Sequence, residues 1–441
     1  MAPDIKDLVY STPLFDDHDH LWSVRDLMQE EDDYRSIAGN SYADLLVATG
    51  PSFRKSPLLQ DGGKEHRKAF FHAWRKSRNT GFCRAVEIAC KDILGLDFTE
   101  ENADAVSDRI RGLKERGGNR FYQDLLEKAG IEWVILDSIN RPDQIQQGAY
   151  PDAVRYAYRD DFLLTALNRD TILQREEWWD RSIHKLSDLV DGLMQSMSGC
   201  LATQAVKAVK IGVAYNTGLH FENPTRHDAE TAFNHMMSVR KNEKSPRPIE
   251  RAFGRYTHPT ISQLSGEELK PLHDYLTHAF VQRATEEGLP VQVHTGYLVG
   301  VNQDLRRMNP LDFVPMLLHY GSTKFDLFHA GWPHTEELAA MGKHYPNAWL
   351  SLCWAWAINP VSVGRALDSW LDSVPYTKII AFGADTKHPI TAYGYAVQAR
   401  EGIARVCESR FARGDADESL SRQMIESIMF GNGRELYGIW A

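Results

Sequence analysis

Residues 14–22 read LFDDHDHLW, a short apolar run that leads into two histidines one residue apart among three aspartates. In a β-strand alternate side chains share a face, so His18 and His20 should point the same way, with Asp16 behind them on that face. Two imidazoles converging on one point suit a metal ion. The chain holds 17 histidines, however, so the triplet carries this meaning only if distant residues complete the set.

Three further apolar runs end on residues capable of metal chemistry: VQVHTG on His294, DLFHAG on His329 and AFGADT on Asp385. From residue 130 onward the pattern is of short strands alternating with amphipathic helices. IEWVILD (131–137), AVKIGVAY (208–215), LPVQVHTG (289–296), KFDLFHAG (324–331), AWLSLCWAW (348–356) and KIIAFGADT (378–386) read as strands, with a weaker one at VRYAY. Stretches such as SGEELKPLHDYLTHAFVQRATEEG and PVSVGRALDSWLDSV read as the helices between them. With the opening strand the count is eight, the number that closes a parallel (β/α) barrel. In such a barrel the C-terminal strand ends carry the active site, which is where His294, His329 and Asp385 fall.

Between about residues 23 and 129 no strand is expected. SVRDLMQEEDD, KEHRKAFFHAWRKSR, CRAVEIACKDIL and ENADAVSDRIRGLKER all space apolar residues at three and four, with GPSFRKSPLLQDGG as a turn region. The expected fold class is therefore α/β, a distorted (β/α)8 TIM barrel formed by 1–22 and 130–441, with a mainly helical insertion or cap over 23–129.

With 43% hydrophobic and 25% charged residues, the chain has the makings of a packed globular enzyme rather than a disordered segment. A net charge of −10 argues against a nucleic-acid partner, and the local basic run HRKAFFHAWRKSR reads as a solvated helix face. The opening MAPDIKDLVY is charged where a signal peptide needs an apolar core, and no run of 18 apolar residues occurs, so a cytoplasmic protein with no membrane partner is expected. Cys83, Cys90, Cys200, Cys353 and Cys407 form no C-x-x-C pair and read as reduced, buried small hydrophobes. A small-molecule substrate is the expected partner, and a homo-oligomer is left open.

Taken in order, Asp16, His18, His20, His294, His329 and Asp385 resemble the D-x-H-x-H, His, His, Asp pattern of the metal-dependent amidohydrolase superfamily, in its amidohydrolase-2 branch, which groups near metal-dependent decarboxylases and uronate isomerases. MFGNGRELYGIW is similar to the closing helix of that family. The resemblance implies one divalent metal held by His18, His20, His294 and Asp385, zinc by preference with manganese as the alternative. It places His329 on the bound water or substrate, where it polarises the substrate or accepts a proton. Some members carry a carboxylated lysine on strand four. Lys210 sits near that place but early in the run 208–215, and is read as uncarboxylated, holding a substrate anion or a buried ion pair.

Lesser candidates for contact with substrate are Tyr215, Tyr297, Trp354, His388 with Lys387, and Arg306 with Arg307, the last pair as a clamp for a carboxylate. The favoured reaction is hydrolysis of an amide C–N bond, or a related carbonyl bond, of a carboxylate-bearing small molecule, with Asp385 as ligand and proton shuttle. Isomerisation of a uronate or metal-dependent decarboxylation uses the same ligand set, and a non-catalytic binding barrel is the reading outside enzymology.

Overall fold

The computed structural model describes residues 4–440 except 30–32, 61, 147, 166, 216 and 239–265. Eight parallel strands follow in sequence order: β1 (Leu14–Asp19), β2 (Ile131–Ile139), β3 (Val154–Tyr158), β4 (Val206–Ile211), β5 (Val291–Val293), β6 (Phe325–Leu327), β7 (Ala348–Ser351) and β8 (Ile379–Ile380). Each pairs with the next in parallel. The ring is closed beyond β8 by the backbone of residues 382–386. Asp17 N donates to Phe382 O (3.3 Å), Asp385 N to His18 O (2.9 Å) and His20 N to Thr386 O (3.0 Å). The strands are buried along most of their length because helices cover the outside and side chains fill the inside, while Glu132 near the start of β2 is exposed.

Several strands are shorter than the apolar runs that announce them. The run at 208–215 leaves the sheet after Ile211, because the next amide, that of Gly212, donates to Asp161 Oδ1 (3.0 Å). A side chain at Gly212 would start 2.2 Å from Arg159 Nη2 and 2.4 Å from Asp161 Oδ2, so it would displace that ion pair. Lys210 therefore stands near the C-terminal end of β4 rather than early in it. Likewise β7 ends at Ser351, and Trp354 and Trp356, expected to alternate on that strand, lie in the turn and short helix beyond it.

Among the described residues, the segment between β1 and β2 contains helices and no strand. The helix expected from SVRDLMQEEDD spans Val24–Gln29; residues 30–32 lie outside the described set. Phe70, Phe71 and Trp74 of the helix Gly63–Ser77 form an aromatic core with Tyr34 and Phe98, while its Arg67 and Arg75 face outward to Asp104 and Glu100, consistent with a solvated basic face. The segment is fastened to the barrel rim by Thr391 Oγ1 donating to Ile37 O (2.8 Å) and by Asn40 Nδ2 donating to Asp385 O (3.1 Å). All five cysteines are free and buried. Among the described residues no helix is long and apolar enough to cross a membrane.

The N-terminal mouth of the barrel is plugged by the end of the chain. Leu436, Tyr437 and Ile439 pack on Phe15, Ile135, Ala157, Ala208, Trp349 and Ile380, and the Tyr437 ring stacks on Phe15 at 5.6 Å. A Cβ at Gly433 would meet the Phe15 ring at 2.4 Å, which explains the glycine in GNGREL. Above this plug lies a polar layer. Tyr437 Oη donates to Asp326 Oδ2 and accepts from Gln292 Nε2 (2.9 Å), which also donates to Asp17 O (2.7 Å). Burial pushes the Asp326 carboxyl up to about 7, opposed by the Tyr437 hydrogen bond. Tyr437→Phe strands two buried partners at once and is expected to lower the unfolding free energy by about 1–3 kcal/mol, read from the denaturant midpoint. An unchanged midpoint would show that the tail does not brace the barrel.

Candidate metal centre

At the opposite mouth the strand ends converge beneath a cavity of about 380 Å³. His18 on β1 and His20, the residue just after that strand, present their Nε2 atoms to Asp385 Oδ1 at 3.8 and 3.2 Å, and each lies 3.7 Å from Asp137 Oδ2. Asp137, on β2, completes a close group with the two histidines. Its Oδ2 also pairs with Arg159 Nη1, and Arg159 is held from the other side by Asp161 Oδ2, 2.7 Å from its Nε.

The other two histidines form a pair beside this group. His294 Nε2 lies 3.0 Å from Tyr297 O, and His329 Nδ1 lies 3.0 Å from Cys353 O. A carbonyl oxygen only accepts, so each of these nitrogens carries the ring proton. His294 Nδ1 and His329 Nε2 are then left as lone-pair atoms 3.0 Å apart, with Asp385 Oδ2 3.7 Å from the latter. Such a pair is stable only with a shared proton or a cation between the two nitrogens. Backbone carbonyls that fix a histidine tautomer in this way are a usual support of metal-binding imidazoles. Cys353 Sγ lies in the same group as His329 and Asp385.

The electrostatics are those of a buried, charged pocket. Burial works to raise the Asp385 carboxyl, but the hydrogen bond and charge of His20, with His329 and Lys210 behind it, hold it at about 2. Burial, with the Lys210 charge adding to it, keeps His18 neutral well below the ordinary histidine range. Burial likewise drives His329 down to about 4 against the pull of Asp385. Burial lowers the Lys210 ammonium to about 8, opposed by Asp137; its Nζ sits 3.8 Å over the Phe328 ring and has no hydrogen-bond partner among the described residues.

Neutral imidazole nitrogens and carboxylate oxygens converging from separate strands are a donor set that fits a divalent metal of the borderline kind. Backbone strain gathers here too. His329, Ala330, Trp354 and Asp385 all have φ between 54° and 62° or, for Asp385, 49°. Left-handed conformations in non-glycine residues persist where the surroundings over-determine them, commonly at functional sites.

Of the residues singled out from sequence, His18, His20 and Asp385 meet directly, with His294 and His329 alongside. Asp16 does not share the histidines' face as alternation predicts. Register shifts in β1 turn its carboxyl toward the amide of Ala384 instead (3.0 Å). Lys210, Tyr215, Trp354, Lys387 and His388 line the cavity. Tyr215 packs on the His294 ring at 4.7 Å, and His388 caps the following helix through Nδ1, which accepts from Ile390 N.

Tyr297 is not among the lining residues; it stands behind Trp354, 5.5 Å between ring centroids. Arg306 does not clamp the cavity either. Its side chain is 90% exposed and paired with Asp304, which draws it away from the mouth, and Arg307 also turns to Asp304. Sequence reasoning passed over Asp137, Arg159, Arg35 and Asn40. Asp137 carried a usable signal, since it ends the apolar run IEWVILD as Asp385 ends its own; the other three lie in or beside connections with no such mark.

The amidohydrolase family signature matches residues 225–439, which include His294, His329 and Asp385. Among curated proteins no sequence matches the chain. Several solved structures resemble it over nearly all their length. The glucuronate isomerase of Caulobacter crescentus has a TM-score of 0.76 at 15% identity, covering 99% of this chain and 93% of that one. The uronate isomerase of Thermotoga maritima has 0.72 at 12%, covering 98% and 96%. A Lactobacillus casei protein provisionally assigned as a metal-dependent hydrolase has 0.67 at 16%, covering 99% and 98%. At these identities the likeness speaks for the fold. The family signature over residues 225–439 makes that part of the chain similar to the amidohydrolase family, and the ordered histidines and aspartates on the strand ends are consistent with the amidohydrolase superfamily.

Proposed function

We propose that the chain is a metal-dependent hydrolase that opens an amide, or a related carbonyl bond, in a small carboxylate-bearing substrate. The observation that carries this reading is the meeting of His18, His20 and Asp385, with Asp137 buried behind them, at the floor of a cavity whose wall holds Arg35, Arg159, Lys210 and Lys387. Arg35 and Arg159 are paired with Asp33 and with Asp137 and Asp161, whereas the buried Lys210 ammonium has no hydrogen-bond partner among the described residues and suits a substrate that brings its own negative charge while presenting a neutral carbonyl to the donor atoms. His18, His20, Asp385 and His294, with Asp137 in reach, would hold the metal, zinc by preference and manganese as the alternative. A divalent cation there supplies the charge that polarises the carbonyl and makes water acidic enough to react near neutral pH.

The protein's own groups manage the protons. Asp385 is ionised throughout the neutral range and accepts a proton from the attacking water as the new C–O bond forms. It returns that proton to the leaving nitrogen as the C–N bond breaks. His329, tied to Cys353 O through Nδ1, keeps Nε2 as the acceptor and shares any proton it gains with His294, next to Asp385. Lys210 holds the substrate anion, with Arg159, itself paired to Asp137 and Asp161, behind it, and Trp354 walls the cavity against bulk water.

A second reading, isomerisation of a uronate, is favoured by one observation: two solved uronate isomerases match the chain end to end, the helical segment after β1 included. One experiment separates the two. Purified protein is assayed for bound metal and screened against N-acyl amino acids, γ-glutamyl amides, lactones, uronates and aromatic acids. Hydrolysis of an amide or lactone that a chelator abolishes is the expected result. Conversion of uronates alone would replace hydrolysis with isomerisation, and full activity after chelation would overturn both.

A further inference from the structure

β1 carries three more acidic side chains that this chemistry leaves unused; Asp17 accepts from Ser351 Oγ on β7, and the other two face the junction with residues 384–386. Asp16 and Asp19 are fully buried, and their carboxyls do not join the converging donor atoms. Their hydrogen bonds follow one pattern. Asp16 Oδ1 accepts from His18 N (3.3 Å) and Ala384 N (3.0 Å), and Asp19 Oδ1 accepts from His20 N (2.9 Å) and Thr386 N (2.6 Å). Each oxygen thus fastens the backbone of one histidine to a residue flanking Asp385.

Asp385 itself is gripped at both of its own peptide groups, by His18 O at its N–H (2.9 Å) and by Asn40 Nδ2 at its carbonyl (3.1 Å). These bonds sit around a residue with φ of 49°, a conformation an aspartate keeps only when its neighbours impose it. The β8 side of this junction has only two residues in regular strand, Ile379 and Ile380, so the ladder alone does not determine where residues 384–386 lie.

From this geometry we infer that Asp19, the spacer between the two histidines, is a positioning residue of the metal centre. With Asp16 as its counterpart, it sets the distance between His20 and Asp385 by accepting an amide from each side. A buried carboxylate in this strand is costly to keep. It is offset here by the Thr386 amide and by the His20 amide, which Asp19 shares with Thr386 O.

The inference rests on the metal reading proposed above, and the test separates the two. Zinc affinity of full-length wild type, Asp19→Ala, Asp19→Asn and Asp19→Ser is measured by competition with a chromophoric chelator, with circular dichroism and Tm as the check on folding. Asp19→Ala is expected to weaken zinc binding by about 10- to 100-fold, as loss of a supporting hydrogen bond around a ligand does. Asp19→Asn keeps an oxygen that accepts both amides and is expected to bind like wild type. Wild-type affinity in a folded Asp19→Ala, or a loss in Asp19→Asn equal to that in Asp19→Ala, would overturn the positioning role.

Should Asp19→Ala fail to fold, Asp19→Ser decides. Its short hydroxyl reaches at most one amide, so it is expected to bind more weakly than Asp19→Asn, and equal affinities would overturn the inference. A folded wild type that binds no zinc or manganese would instead overturn the metal reading itself.

Discussion

Replacing His18 and His20 together by alanine is expected to bring bound divalent metal from about one ion per chain to a trace, with the barrel still folded. The two imidazoles are half of the close donor group, and the nearby histidines, His294 and His329, are tied to the carbonyls of Tyr297 and Cys353. The carboxylates left behind, Asp137 and Asp385, would keep Arg159 and Lys210 as counter-charges. They would therefore bind a cation weakly and without the selectivity that nitrogen donors confer. Folding should survive because β1 is secured by backbone pairing to β2 and to residues 382–386, none of which uses an imidazole. Elemental analysis of the purified double variant, beside its circular dichroism, is the measurement. Full metal content in a folded double variant would remove His18 and His20 from the ligand set.

Asp385→Asn should cut turnover by roughly 100- to 10,000-fold, the usual cost of losing an acid–base group, while much of the metal stays bound. The wild-type carboxylate faces His18 and His20 through one oxygen and His329 through the other, so it can serve as a ligand on one side and move protons on the other. Asparagine keeps an oxygen that can coordinate but has no basic site for a proton. His329→Ala is a useful companion. It removes the partner of His294 Nδ1 without touching the His18–His20–Asp385 contacts, and a similar fall in turnover with metal retained is expected. Loss of metal in His329→Ala would make His329 a ligand. Unchanged turnover in Asp385→Asn would show that another group moves the proton.

Much of the site can be read from the chain because the relevant signal is local. An apolar run of strand length that ends on a histidine or aspartate places that side chain at the C-terminal rim once the runs are counted as eight parallel strands. His294, His329 and Asp385 are found in this way, and H-x-H declares itself through the period of two. Asp137 obeys the same rule, but an aspartate after a strand is equally a turn residue, so the run alone does not mark it as a ligand. The helical character of the segment after β1 is equally local, since it rests on spacing alone.

What spacing leaves open is where a strand stops and which way the chain then turns, for those depend on partners remote in sequence. Lys210 reaches the rim because Asp161 captures the amide of Gly212 and Arg159 crowds its Cα, ending β4 four residues before its apolar run does. Arg306 follows β5 as closely as a clamp should, yet Asp304 holds it in solvent. Asp16 alternates correctly with His18 and His20 on paper, but the register shifts of β1 deliver it to the amide of Ala384. The residue types and their order on the strands thus follow from short-range periodicity and the chemistry of histidine and aspartate. The distances among them, the pairing of His294 with His329 and the cationic wall opposite follow from closure of the ring, where backbone amides and buried charges more than a hundred residues apart must satisfy one another.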